Sequence, residues 1–241
     1  MTKCQITLGR APVDLSLRFP EGERYFRRFL RKSGEAAGEP VSVREQAFAD
    51  WASLGNPIDA FAEFCLFCQP VSEVLTPQDH CVFHGAALRR GDKAVLLAGG
   101  SGAGKSTHLR MLQEKHPEEF SVINGDKPVL EWTDSGVTVH PSPWNGKEGL
   151  RGAEAAPLAA IYFLRRTEHN AVEPCKDKDA GLLAFPMVFQ SFSCERVIRE
   201  AAAITEKLVK SCPCFFFDSR DIEPSSELLY RSIREVTRNE L

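Results

Sequence analysis

The stretch Gly99-Gly100-Ser101-Gly102-Ala103-Gly104-Lys105-Ser106-Thr107 decides the reading of this chain. It fills every fixed position of the pattern G-x-x-x-x-G-K-[ST]. An apolar run, KAVLLA, precedes it, and a helical run, SGAGKSTHLRMLQEKH, carries it onward, so the stretch sits in a strand-to-helix turn. Glycines let the backbone turn tightly enough for successive N–H groups to converge on one anion. A helix that starts near Lys105 presents its positive end to the same point. The residues from Gly99 to Thr107 are therefore expected to hold the phosphates of a nucleoside triphosphate. Lys105 is expected on the β- and γ-phosphates, and the Ser106 hydroxyl on Mg²⁺. ATP is the expected donor, although such a loop reads phosphates and not the base.

The next apolar run ends in Val122-Ile-Asn-Gly-Asp126-Lys127. An aspartate leaving a strand beside a triphosphate can hold Mg²⁺ or take a proton from a hydroxyl nucleophile. The same tetrapeptide, Gly-Asp-Lys-Pro, is also ordinary turn chemistry. Before the loop, HCVFHGAALRR and KAVLLAGG read as two strands of a hairpin joined at Gly91-Asp92. After Asp126, KPVLEWTDSGVTVH reads as two strands around Asp134-Ser135-Gly136, and AAIYFLRR as a further strand. Helices are expected over roughly residues 179–192 and 194–210, then the strand CFFFD, then a closing helix over 225–237 capped by Ser225 or Ser226.

Upstream, CQITL and VDLSLRF alternate as short strands, and EGERYFRRFLRKSGEA has helical spacing. A second helical zone spans residues 43–75, broken at Gly55-Asn56-Pro57, with Asp59 as an N-cap. The fold expected is α/β: a mixed sheet with flanking helices built around the glycine loop. Residues 1–78 form a small N-terminal lobe in the same compact unit, and residues 79–241 form the nucleotide-binding core.

Composition narrows the partners. A net charge of -3 argues against broad nucleic-acid binding. The N-terminal MTKCQITLGR has no signal-peptide pattern, and no apolar run reaches the ~18 residues of a membrane span. A cytoplasmic protein with no membrane partner is the expectation. Eight cysteines are many for such a chain. Cys65 and Cys68 pair with Cys212 and Cys214 as a possible zinc site, or they are small core residues; Phe61, Phe64, Cys65 and Cys68 fall on one helical face.

His84-Gly85, the GGSGAGKST loop and Asp126 have the order and rough spacing seen in HPr kinase/phosphorylase-like proteins. The resemblance spans roughly residues 79–165. HPSPWNGKEG, PLAAIYFLRR with His169-Asn170, and SCPCFFFDS look like a smaller branch of that family, whose members are often linked to bacterial peptide or small-molecule pathways. The resemblance implies a PEP carboxykinase-like P-loop fold, often oligomeric, and Mg²⁺-dependent phosphoryl transfer from ATP to a hydroxyl. The acceptor would be a serine of a peptide or protein, or a small molecule; a nucleotide-binding regulatory module with little turnover is the alternative. Asp126 would be the general base. His84 would assist beside the transferring phosphoryl, with Lys105 on that phosphate and Ser106 on Mg²⁺. The family carries two successive aspartates where this chain has Asp126-Lys127. Lys127 then neutralises phosphate charge or faces solvent. The family's metal-ligating glutamate precedes an Arg-Gly pair; Glu148 comes within one residue of that spacing. No copy of the HPr-recognition segment is evident. In the Pro143-to-Gly149 stretch, Trp144 would stack on a base or brace the loop, and Lys147 would pair with phosphate.

Overall fold

The computed structural model describes residues 1–31, 40–146, 149, 152, 154–188 and 195–238. The elements are β1 (Thr2–Leu8), β2 (Ala11–Leu17), α1 (Glu23–Phe26), α2 (Glu45–Ser53), α3 (Ala60–Leu66), α4 (Cys68–Leu75), β3 (His80–Val82), β4 (Gly85–Arg90) and β5 (Lys93–Ala98). They continue with α5 (Lys105–Lys115), β6 (Phe120–Asn124), β7 (Val129–Thr133), β8 (Gly136–His140), β9 (Ala156–Arg166), β10 (Ala171–Pro174), α6 (Asp177–Ala184), α7 (Glu195–Val209), β11 (Cys214–Ser219) and α8 (Ile222–Val236).

The result is a mixed α/β fold. One nine-stranded sheet runs β3-β7-β8-β9-β5-β4-β6, and β11 joins β9 and carries β10. The long strand β9 organises it. The start of β9 pairs antiparallel with β8, its middle parallel with β5, and its end parallel with β11. A strand so placed is covered on both faces, which is why Ala160 to Phe163 is continuously apolar and buried. One face packs on α6 and α7 through Leu96, Ile161, Phe163 and Leu208. The other packs on α5 and α8 through Leu97, Leu109, Tyr162 and Ile233.

The N-terminal hairpin β1–β2 forms a separate two-stranded sheet. Its core takes in Phe67, Val71 and Leu75 from the helices and also Val82, Val129 and Trp144 from beyond residue 78. Asp59 caps α3, accepting from the N–H groups of Phe61 and Ala62 at 2.9 and 2.8 Å. The buried Glu63 carboxylate accepts from the N–H groups of Arg18 and Phe19 and ties α3 to the chain leaving β2. Among the described residues, no helix is long and apolar enough to cross a membrane.

Several local expectations change. Among the described residues, the helical spacing after residue 20 yields a 3₁₀ turn at Pro20–Gly22 and the four residues of α1; residues 32–36 of that stretch lie outside the described residues. The chain then turns back onto β1, where the Arg31 N–H donates to the Gln5 carbonyl and the Thr7 N–H to that of Phe29. HCVFHGAALRR is two strands, because the Phe83 and His84 N–H groups turn to the carbonyls of Pro128 and Met187. The helix expected from 179 begins at Asp177 and passes into a 3₁₀ turn at Phe185–Met187, where Pro186 cannot donate. The closing helix starts at Ile222 after Asp221. Ser225 and Ser226 are buried within its first turns and do not cap it. AVEP pairs with β11 as a strand that its spacing did not announce. A break at Phe67 separates α3 from α4 and leaves Phe61 half exposed while Cys68 is buried. Cys68 belongs to the N-terminal core and Cys214 to the core under α6 and α7, so the two cysteine pairs do not form one site.

Candidate active site

The loop between β5 and α5 opens into a cleft of 450 Å³. Its lining includes Ser101, Gly102, Gly104, Lys105, Ser106 and Thr107 from the loop, and His84, Asp126, Asn145 and Arg166 from elsewhere. Gly99, Gly100 and Ala103 of the same loop do not line the cleft. A Cβ on Gly99 would stand 2.9 Å from the Leu164 carbonyl of β9, so only glycine lets the loop leave the sheet at this point. Ala103 packs beside the α5–α8 core. The Lys105 ammonium donates to the carbonyls of Gly99 and Gly100 at 2.7 and 3.1 Å, folded back across the loop. Burial lowers its pKa; nearby Lys127 adds to this and Asp126 opposes it.

Asp126 follows β6, and His84 stands at the β3–β4 break. The Gly85 N–H donates to the Asp126 carbonyl at 2.8 Å and fixes the two segments to each other. His84 Nε2 lies 3.4 Å from Asp126 Oδ1, and Lys127 Nζ pairs with Asp126 Oδ2. Burial pushes the His84 pKa down, with Lys105 and Lys127 adding to the effect and Asp126 opposing it. The burial and the two nearby ammonium groups favour the neutral imidazole at this position. Lys127 is half-buried and pairs with the Asp126 carboxylate.

Residues that the sequence did not mark hold this turn. The fully buried Asn124 accepts from the N–H groups of Asp126 and Lys127 at 2.9 and 2.7 Å. Its amide donates to Asn145 Oδ1 at 3.0 Å and to Ser142 Oγ at 3.1 Å. A polar residue ending the apolar run FSVIN just before Gly-Asp was the available signal, since asparagine holds turns this way. Asn145-Gly146 is part of the cleft wall and more than a surface turn. Gly146 has φ +72°, and a Cβ there would stand 3.0 Å from that of Asp126.

Trp144 does not line the cleft. Its indole N–H donates to the Phe64 carbonyl at 2.9 Å, and its ring stacks on Phe64 with centroids 6.1 Å apart. It is buried in the N-terminal core, so it braces the loop and is unavailable to a base. Lys147 and Glu148 lie outside the described residues. Among the described residues, no cluster of three or more His, Cys, Asp or Glu side chains is arranged to hold a metal.

Beneath the loop, the buried His108 of α5 meets Ser226 Oγ at 2.8 Å and Ser219 Oγ at 3.1 Å. Burial, helped by the charge of Arg166, pushes its pKa down to about 4. It joins the first turn of α5 to β11 and α8, and so anchors the helix that presents Lys105 and Ser106.

No protein-family model matches the chain. No curated protein matches it either. Among solved structures, the HPr(Ser) kinase/phosphatase from Coxiella burnetii matches 64% of this chain and 91% of its own, at 9% identity and a TM-score of 0.37.

Proposed function

We propose that this chain is an HPr-kinase-like phosphotransferase, which binds ATP on the 99–107 loop and passes its terminal phosphoryl group to a hydroxyl. A serine of a peptide or protein is the acceptor put first. The reading rests on one observation: Lys105, Ser106, Asp126 and His84 line a single cleft at the start of α5. Phosphoryl transfer asks mainly for positioning and charge neutralisation, and few groups need do chemistry. The acceptor oxygen bonds to the γ-phosphorus, the bond to the bridging oxygen breaks, and ADP leaves. The hydroxyl proton goes to the Asp126 carboxylate. Neutral His84 has a single N–H, which it turns to the Asp126 carboxylate at 3.4 Å and so orients the base beside the moving phosphoryl group. The Ser106 hydroxyl offers a hard oxygen donor of the kind Mg²⁺ takes beside phosphates, and Glu148 is the second ligand in this proposal. When bound, the ion offsets charge on the transferring group. A cytoplasmic location belongs to the same proposal.

A second reading, a nucleotide-binding regulatory module, draws on the fact that His84 and Lys127 already occupy both oxygens of Asp126. Labelled γ-phosphate ATP, offered with peptides and a metabolite pool, separates the two. The kinase reading expects a labelled acceptor, and the nature of that acceptor distinguishes peptide from small-molecule kinase. Absence of label across the whole panel favours the regulatory module.

A further inference from the structure

The sheet order gives the cleft two ends. Strand β5, which feeds the loop, has β4 on one side and β9 on the other. His84 and Asp126 come from the β4 and β6 side. Arg166 comes from the opposite side, at the end of β9. The parallel pairing aligns Ala98 with Phe163, so Arg166 lies three positions further along, level with the loop. Its neighbour Arg165 is committed to the other face, bonded to Asp218 at 2.6 and 2.7 Å and stacked over Phe216 at 3.9 Å. Arg166 is different. It lines the cleft with Lys105, Ser106 and Thr107, and among the described residues no hydrogen bond or ion pair engages its guanidinium. Its charge reaches His108, one turn into α5, and helps hold that imidazole neutral.

We infer that Arg166 binds the nucleoside-side phosphates, the part of the nucleotide that stays with the leaving diphosphate. This rests on the kinase reading, because that reading sets the transferring phosphoryl toward Asp126 and the rest of the nucleotide toward β9. A planar guanidinium suits two phosphate oxygens at once. With Lys105 it clasps the phosphate chain from both ends of the loop.

Calorimetric titration of the full chain with Mg-ADP and with Mg-ATP tests the assignment in wild type, Arg166→Gln, Arg166→Lys and Lys105→Ala. Arg166→Gln is expected to weaken both nucleotides alike by about tenfold, the usual scale for a lost charge-assisted hydrogen bond. Arg166→Lys should recover part of the loss. Arg166 is an exposed side chain, so the variants should melt like wild type. Weakening of ATP with ADP untouched would place Arg166 at the terminal phosphate and overturn the inference. Unchanged affinity for both nucleotides, while Lys105→Ala weakens binding at least tenfold, would overturn it and leave the kinase reading standing. A wild type that binds neither nucleotide would overturn both.

Discussion

Asp126 and Glu131 are both carboxylates held between histidine and a cation, and they differ in their access to solvent. Asp126 meets His84 and Lys127 in the open cleft, where its side chain is 23% exposed. Glu131, on β7, meets His140 at 2.7 Å and His80 at 3.7 Å, and pairs with Arg10, with 3% of its side chain exposed. The Glu131 cluster joins the turn of the N-terminal hairpin to the main sheet, and its carboxylate is closed off from solvent. A Cβ on Gly9 would stand 2.9 Å from His80 Nε2, so that turn is packed onto the imidazole. The ingredients are the same. Access separates a carboxylate that holds two layers together from one that can meet a substrate.

Exchanging each carboxylate for its amide should split the two regions cleanly. Asp126→Asn keeps the shape and removes the base; transfer should fall roughly 10²–10⁴-fold while ATP binding holds or tightens. Thermal melting should hardly move. Glu131→Gln should do the opposite, costing about 1–3 kcal/mol of stability as a buried charged contact is lost and leaving turnover in the folded protein intact. Equal loss of stability in both variants would break the comparison.

His108 supplies a third case, an imidazole that meets hydroxyls and no carboxylate. Its folded pKa of about 4 lies below the ordinary 6.5. The unfolded chain therefore holds a proton that the native state has released. The stability this gives is complete above pH 6.5 and is lost as pH falls toward 4, a change on the order of 3 kcal/mol. Urea unfolding at a series of pH values should show this slope in wild type and a flatter one in His108→Gln. An identical slope in both would remove His108 as its source.

The smallest effect concerns shape alone. Gly146 and Gly91 both have positive φ, at +72° and +59°. A side chain at Gly91 meets nothing within 4 Å, whereas one at Gly146 meets Asp126. Alanine at either position should cost about 1 kcal/mol of stability from backbone strain. Only Gly146→Ala should also lower transfer, by several-fold. Equal transfer in the two variants would mean that the Asn145-Gly146 wall does not set the position of Asp126.

The sequence was most informative where local chemistry and tertiary placement agree. The loop from Gly99 to Thr107 is legible because its glycines, its preceding apolar strand and its following helix all specify one turn. Asp59 as a cap and the two-residue hairpin at Gly91-Asp92 are legible for the same reason. The rest depends on contacts distant in sequence. Trp144 reads equally as a base-stacking ring or a brace, and only the position of Phe64, far upstream, turns it inward. The helical spacing after residue 20 gives way to pairing with β1, which local periodicity cannot register. Arg166 looks like the polar end of an apolar strand. It becomes part of the cleft only through the parallel register of β9 with β5.

Titration of the full chain with Mg-ATP, in wild type and in Lys105→Ala, bears most directly on the central claim that the 99–107 loop holds a nucleoside triphosphate. The Lys105 ammonium is poised across the loop on two backbone carbonyls. On binding it should exchange these for the terminal phosphates, so its removal should take away a charge-assisted contact that water cannot replace. The expected result is saturable binding in wild type, weakened at least tenfold in the variant, with an unchanged melting profile. Equal affinity in the two proteins, or no binding in wild type, would contradict the account.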